Sequence, residues 1–273
     1  MGRVFFISGL PRSGSTLLGA ILRQNPDISA GMSGPVFSLV NALMPRLSSA
    51  NEFGVLFSDA ERAAVLRGLF DSYYRSRPQP VVFDTNRSWT HKLPVLLELF
   101  PDTRFICLVR PIAEILQSFE HQYLRHPLQL SQIIGCDPDT SVYSRADRLM
   151  VGNGLVGVAL NGLKEAFYGS ASDRLMVVSY QALATAPQAV IADLYRFCGL
   201  APFAHDFSDI AFDGTALDER LGAPGLHRVR PAVAVQPTAW TLPPDIVARH
   251  AGAPFWETDA SLTQADCTWA ATR

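Results

Sequence analysis

Small, hydroxyl-bearing residues near the start of the chain form a pattern that can hold a phosphate group. Residues 4–7 are apolar and predict a buried strand, and Gly9 and Gly14 follow it with four residues between them. Two hydroxyl residues, 15 and 16, then open an apolar, helix-like stretch. In a strand, loop and helix of this kind, successive backbone N–H groups and the positive end of the helix bind an anion. The pattern therefore predicts a phosphate-binding loop.

This loop differs from that of a nucleoside triphosphatase at one position. Such a loop carries a lysine before its final Ser or Thr, and Ser15 stands there instead. The cation lies inside the loop, at Arg12. The loop thus keeps the anion cradle without the lysine for a γ-phosphate, which indicates a different phosphorylated donor. The alternative is a degenerate loop or a plain glycine turn.

A second apolar run also ends in a cation. Residues 105–109 predict a buried parallel strand, and Arg110 follows directly. Pro111 is a favoured first residue of a helix, so Ser118 falls two turns into that helix. Ligands of open α/β sheets bind at the carboxyl ends of strands. Arg110 and Ser118 are therefore candidate donor contacts; the alternative is a strand-end arginine and a serine on a solvated helix face.

Two further strands are predicted to end at the same edge of a sheet. Residues 81–83 form a short apolar run before the polar stretch 84–88, and residues 174–179 form a strand followed by Tyr180. With the loop and Arg110, four polar strand ends converge. Convergence of this kind is typical of a nucleotide site.

Residues 9–18 resemble the 5′-phosphosulfate loop of sulfotransferases that use 3′-phosphoadenosine-5′-phosphosulfate (PAPS). The likeness is greatest to the tyrosylprotein sulfotransferases and related bacterial enzymes, and it extends over about residues 3–200. The resemblance implies that the loop holds the 5′-phosphate and the sulfate, that Arg110 and Ser118 hold the 3′-phosphate, and that Tyr180 lies near the adenosine. It also offers Arg228 or Arg230, in a late segment, as a phosphate contact. The loop residues concerned are Pro11, Arg12, Ser13, Gly14, Ser15 and Thr16.

The acceptor side departs from this family. The tyrosylprotein enzymes carry a glutamate base about twenty residues beyond the loop arginine, where this chain has Ser33. Their catalytic lysine aligns with Thr85, and the nearest cation is Arg87. We therefore expect Arg87 to serve catalysis with Arg12, and the base to be Asp84 or, second, His91. The alternatives are a loop-capping Asp84 and a His91 on a solvated surface.

Composition limits the remaining classes of function. The 273 residues carry a formal net charge of −2, which argues against a nucleic-acid partner. No run of 18 apolar residues predicts a membrane span, and the four cysteines have no paired spacing. We expect a single cytoplasmic domain with reduced thiols and no metal, its core at about 3–200 and an irregular wrapping tail at about 201–273.

The patterns predict an α/β protein of the P-loop type: a central parallel sheet flanked by helices in three layers. Among the expected helices, one covers residues 89–100 and a single long one covers about 142–168, after a loop near 127–141.

The predicted function is transfer of the sulfuryl group of PAPS to a hydroxyl or amine of a small-molecule or peptide acceptor, with release of 3′-phosphoadenosine-5′-phosphate (PAP). One alternative is a P-loop kinase of a small metabolite. It would need a loop lysine, but the only lysines are Lys92 and Lys164. The other is a non-catalytic adenine-nucleotide binding module, which the missing glutamate permits.

Overall fold

A parallel sheet of six strands forms the centre of the computed structural model, which describes residues 2–126, 128, 140–234 and 239–267. The strands hydrogen-bond in the order β2-β3-β1-β4-β5-β6, and every neighbouring pair is parallel. In chain order they are β1 (Arg3–Gly9), β2 (Ile28–Ser29), β3 (Val81–Thr85), β4 (Phe105–Val109), β5 (Leu175–Ser179) and β6 (Asp266–Cys267).

The apolar strands divide the core into two clusters, one on each face of the sheet. Successive side chains of a strand point to opposite faces. In β1, Phe6 therefore packs with Trp89 on one face, whereas Phe5 and Ile7 pack with Leu18 on the other. Helices cover both faces, which confirms the predicted three-layer α/β fold of the P-loop type.

Helices α2 to α7 contribute to the Phe6 face, and α1, α8 and α9 to the opposite face. Two of their starts follow local signals: Ser58 and Glu61 form a capping box before α3, and Pro111 directly precedes α5. In order they are α1 (Ser15–Leu22), α2 (Val36–Leu43), α3 (Asp59–Tyr74), α4 (Leu93–Leu99), α5 (Ile112–Arg125), α6 (Val142–Met150), α7 (Leu155–Tyr168), α8 (Tyr180–Thr185), α9 (Pro187–Phe197), α10 (Thr215–Arg220), α11 (Pro244–Arg249) and α12 (Phe255–Thr258).

Two predicted helices are interrupted. The expected helix at 89–100 is a 3₁₀ helix, Trp89–Lys92, followed by α4, because Pro94 has no N–H for Thr90 and its ring clashes with the preceding turn. The expected helix at 142–168 is divided into α6 and α7, because the chain is extended at Val151 and Gly154. A glycine-containing turn thus replaces a continuous helix.

The tail is more regular than predicted. It contains α10, α11, α12 and β6, which pairs with β5 at an edge of the sheet. Its contacts tie it to the core: the side chain of Gln117 bonds Thr241 and Leu242, and that of Gln122 donates to the carbonyl of Pro224. Most of the predicted loop near 127–141, including Cys136, lies outside the described residues.

A helix that spans a membrane must be long and apolar, and no such helix is predicted from the sequence. None of the helices within the described ranges is long and apolar enough to cross a bilayer.

Candidate active site

The phosphate-binding loop connects β1 to α1 through three residues in the left-handed region. Their φ values are 98° at Gly9, 59° at Arg12 and 94° at Gly14. A Cβ atom at Gly9 would lie 2.3 Å from the carbonyl oxygen of Leu108, so this position requires glycine. At Gly14 a Cβ atom would lie 2.9 Å from the ring of Tyr180. The glycines therefore let the loop approach the ends of its neighbouring strands.

Arg12 joins the loop to two distant parts of the chain. Its Nε donates to the Oγ of Ser118 at 3.0 Å, and its Nη1 donates to the carbonyl oxygen of Leu226 in the tail. Burial, and next the nearby charge of Arg110, lower the pKa of Arg12 to about 10. The guanidinium is still protonated at neutral pH, so it keeps its charge for an anionic ligand.

Arg110 and Tyr180 meet beside the loop, as the convergence of strand ends predicts. The Arg110 guanidinium lies 4.6 Å from the centre of the Tyr180 ring, and its Nε forms an ion pair with Glu114 at 2.8 Å. Its Nη1 is 3.4 Å from the carbonyl oxygen of Arg12. Arg12, Arg110, Ser118 and Tyr180 therefore border one crevice.

This crevice has a volume of about 570 Å³ and carries a strongly positive lining. Five arginines line it: Arg12, Arg87, Arg110, Arg228 and Arg230. None of its lining residues, all in the described part of the chain, is Asp, Glu or Lys. In a chain of net charge −2, this concentration of arginines favours a ligand with several negative charges.

The hydroxyl of Ser13 is turned away from the crevice. Ser13 is fully buried, and its Oγ donates to the carbonyl of Pro11 at 3.4 Å. Pro11, Gly14, Ser15 and Thr16 do line the crevice. The hydroxyl of Ser13, one of the loop residues expected to hold the 5′-phosphate, is therefore not directed at a ligand in the crevice.

The prediction that Asp84 faces the crevice is wrong. Its side chain points to the Phe6 face of the sheet, where Oδ2 accepts from the Tyr74 hydroxyl at 2.5 Å and Oδ1 accepts from Trp89 Nε1 at 2.8 Å. Only 1% of Asp84 is exposed, and burial raises the pKa of its carboxyl. Phe83 and Thr85, one position away, point to the other face. Asp84 is a buried acceptor, neither a crevice base nor a loop cap.

The position of His91 also differs from both expectations. Its Nε2 lies 2.9 Å from the carbonyl oxygen of Val158 in α7, and a Cβ atom at Gly162 would lie 2.5 Å from the same nitrogen. The ring is packed between the 3₁₀ helix and α7, outside the residues that line the crevice. It is therefore a packing residue rather than a base or a solvated surface histidine.

His227, which belongs to no recognisable sequence motif, also lines the crevice. His227 Nδ1 lies 2.5 Å from Oδ1 of Asp218, and the backbone N–H of His227 donates to Oδ2 of the same carboxylate at 2.9 Å. Asp218 is buried, with 2% of its surface exposed. Asp218 lies in the short helix α10, and His227 follows nine residues later. No sequence motif links these two positions, so only the folded tail shows that they pair.

A second cavity, of about 750 Å³, lies next to the crevice. The two share Ser33, Thr85 and Leu217 as lining residues. Its other walls are partly aromatic and apolar, formed by Met32, Tyr73, Tyr74, Phe83 and Phe212. Such a mixed lining beside a charged crevice is typical of a small-molecule site.

Metal-ligating groups are not clustered in the described ranges. No three His, Cys, Asp or Glu side chains there are arranged to hold an ion.

A parallel sheet with a glycine loop after β1 and an arginine-lined crevice at its strand ends is an α/β fold whose ligand site lies at the carboxyl ends of the strands. Residues 5–205 match the sequence profile described as the sulfotransferase family. The chain belongs to this family, which confirms the resemblance seen in the loop.

Individual relatives agree with this assignment. Over 117 residues the chain is 28% identical to protein-tyrosine sulfotransferase 1 of Mus musculus, covering 39% of this chain and 31% of that protein. The chain thus spans about a third of the length of that relative. In fold it is similar to the sulfotransferase domain of the Synechococcus PCC 7002 olefin synthase (TM-score 0.51, 19% identity, 95% of this chain and 94% of that one). It is also similar to a sulfotransferase from Alicyclobacillus acidocaldarius (TM-score 0.50, 19% identity, 81% and 90%).

Proposed function

We propose that this protein transfers the sulfuryl group of PAPS to a hydroxyl or amine of a small molecule and releases PAP. The observation that carries the proposal is the crevice with five arginines and no carboxylate or lysine among its lining residues. A kinase of the P-loop type needs a lysine for the γ-phosphate and an acidic ligand for Mg²⁺. A donor with separate phosphate and phosphosulfate groups needs only fixed cations and backbone donors.

The donor would lie across the crevice. The N–H groups of the loop would hold the 5′-phosphate, with the hydroxyls of Ser15 and Thr16. Arg110 and Ser118 would hold the 3′-phosphate, and the face of Tyr180 next to Arg110 suits the adenine. The hydrogen bond from Arg12 to Ser118 supports a donor site in which loop and 3′-phosphate contacts are adjacent.

Sulfuryl transfer leaves negative charge on the equatorial oxygens and on the departing phosphate, as phosphoryl transfer does. The protein therefore contributes mainly by position and by fixed positive charge. Arg12 and Arg87 would stabilise the transferring group. The Arg87 side chain has no hydrogen bond or ion pair with any residue in the described ranges, so its donors are available to a ligand.

The second cavity would hold the acceptor. It meets the crevice at Ser33, Thr85 and Leu217, so an acceptor bound there would lie beside the end of the donor. Its volume of about 750 Å³ is in the range of sites for drug-sized molecules. This supports a small molecule, rather than a peptide, as the acceptor.

Calorimetry with PAP, PAPS and Mg²⁺-ATP tests the donor. PAP at about 100 times its dissociation constant should add about 2.7 kcal/mol to the unfolding free energy. Preference for Mg²⁺-ATP over PAP would contradict the proposal and favour a kinase.

Release of PAP from PAPS with a panel of phenols, alcohols and amines tests the transfer. Turnover with at least one of them is expected. Tight PAP binding without turnover of any member would favour the non-catalytic binding module.

A further inference from the structure

The proposed function requires a group that removes the proton of the acceptor. Neither Asp84 nor His91 can do so, because neither side chain reaches the crevice. A hydroxyl that attacks sulfur must lose its proton. The residues that line the crevice and the second cavity include one carboxylate, Asp213, and one imidazole, His227, that could accept this proton.

Asp213 is poorly suited to this task. Hydrogen bonds from the backbone and the side chain of Thr215 lower the pKa of its carboxyl. A carboxylate stabilised in this way is a weak base. Asp213 is also exposed to solvent.

His227 has the geometry of an oriented base. A carboxylate only accepts hydrogen bonds, so the proton shared with Asp218 belongs to Nδ1, and the lone pair of the neutral imidazole is left on Nε2. The second oxygen of Asp218 accepts from the backbone N–H of His227, which fixes both partners. Nε2 has no hydrogen-bond partner among the residues that the structure describes.

The surroundings hold this pair next to both cavities. The carbonyl of Leu226, the preceding residue, accepts from Arg12, so His227 is tied to the phosphate-binding loop. Leu217, adjacent to Asp218 on α10, lines the crevice and the second cavity alike. Gly214 allows the start of α10 to approach, since a Cβ atom there would lie 3.0 Å from Cβ of His227.

We infer that His227 is the general base of the transfer and that Asp218 is its positioning residue; this rests on the proposed function. The acceptor oxygen forms a bond to the sulfur of PAPS while the bond between sulfur and the bridging phosphate oxygen breaks. PAP leaves with that electron pair. The acceptor proton passes to Nε2 of His227, and the resulting imidazolium is stabilised by Asp218.

The charged groups around His227 determine how the rate should depend on pH. Asp218 faces it from α10, and arginines face the same crevice from the loop, from the ends of β3 and β4, and from its own segment: Arg12, Arg87, Arg110, Arg228 and Arg230. A general base acts only in its unprotonated form, so the rate should fall on the acidic side of its pH profile.

The test compares His227→Ala and Asp218→Asn with the wild type, using PAPS and whichever member of the panel of phenols, alcohols and amines turns over. His227→Ala should lose at least about a hundredfold in kcat and lose the acidic limb. PAP affinity, measured by calorimetry, should stay that of the wild type, which separates failure of the base from failure of the donor site. His250→Ala, which removes a tail histidine outside the crevice, is the matched control.

Asp218→Asn should lower kcat and leave PAP affinity unchanged, because an asparagine can hold the wrong tautomer of the imidazole. Wild-type kcat and pH profile in His227→Ala would overturn the inference.

A second measurement does not depend on turnover. In ¹⁵N-histidine NMR, with His227→Gln to identify the signal, the neutral ring should carry its proton on Nδ1. A proton on Nε2 would also overturn the inference.

Discussion

The carboxyl of Asp84 stabilises the buried core and is not part of the crevice. It accepts hydrogen bonds from Tyr74 and Trp89 on the buried Phe6 face, while the crevice opens at the strand ends. An asparagine in its place can accept from Trp89, but its NH₂ group would then face Tyr74, whose hydroxyl proton would lose its acceptor. Asp84→Asn should therefore cost about 1–3 kcal/mol in unfolding free energy and leave PAP affinity unchanged. Urea denaturation and calorimetry check the two parts; weakened PAP binding at unchanged stability would contradict this placement.

The same carboxyl should give the stability a pH dependence. Burial raises the pKa of Asp84 above the ordinary value of 3.8, so the folded protein keeps a proton that the unfolded chain releases. This contribution to stability is present at low pH and is lost as the pH rises from 3.8 through the higher folded pKa. The stability of the wild type relative to Asp84→Asn should thus fall across that window. A difference that grows with pH, in urea denaturation at several pH values, would contradict it.

Arg12 and Arg110 should have different effects on the kinetics. Arg110 lies at the end of β4 against Tyr180, whereas Arg12 is part of the loop that would meet the sulfate end. Arg110→Ala should chiefly raise the KM for PAPS, and Arg12→Ala should chiefly lower kcat. A charge-assisted hydrogen bond contributes about 1.5–3 kcal/mol, so each effect should be about ten- to a hundredfold. Arg174→Ala, a surface arginine away from the crevice, is the control; reversed effects would contradict the assignment.

At the scale of elements, the close approach of α7 to the 3₁₀ helix depends on Gly162. A methyl group there would displace the His91 ring and its contact with the Val158 carbonyl. Gly162→Ala should destabilise the protein by about 1–3 kcal/mol. In the double variant with His91→Ala, the vacated space should accept the methyl group, so the two losses should not add. Additive losses in thermal or urea unfolding would show that the ring and the glycine are not coupled.

The elements that could be predicted from sequence are those whose signals are local. The loop is identified by the spacing of Gly9 and Gly14, and the spacing of Arg110 and Ser118 indicates two residues that the fold brings to the same crevice. To predict the orientation of Asp84, the exact bounds of β3 would have to be known. Because Val82 and Asp84 have the same parity in that strand, they share the Phe6 face. The pairing of Asp218 with His227 depends on how the tail folds, and no short pattern encodes it.

At the scale of the whole molecule, the tail and the phosphate-binding loop should respond together to the donor. Residues from both line the crevice, and Arg12 bonds directly to Leu226. In hydrogen exchange, PAP should increase protection at residues 9–16 and at 214–234. The outer strand β6 is the internal reference, because it lies at the far edge of the sheet. Protection confined to residues 9–16 would argue against a donor contact from Arg228.

Within the described residues, which end at Cys267, the outer strands β2 and β6 each comprise two residues. A long outer strand presents a row of unpaired N–H and C=O groups to which another chain can add. Here β2 covers Val81 and Val82 of β3, and β6 covers Met176 and Val177 of β5, so each outer side is partly paired. In the described part of the chain, the sheet therefore offers a shorter template for edge-to-edge aggregation than a full-length outer strand would, even though its interior strands are almost wholly apolar.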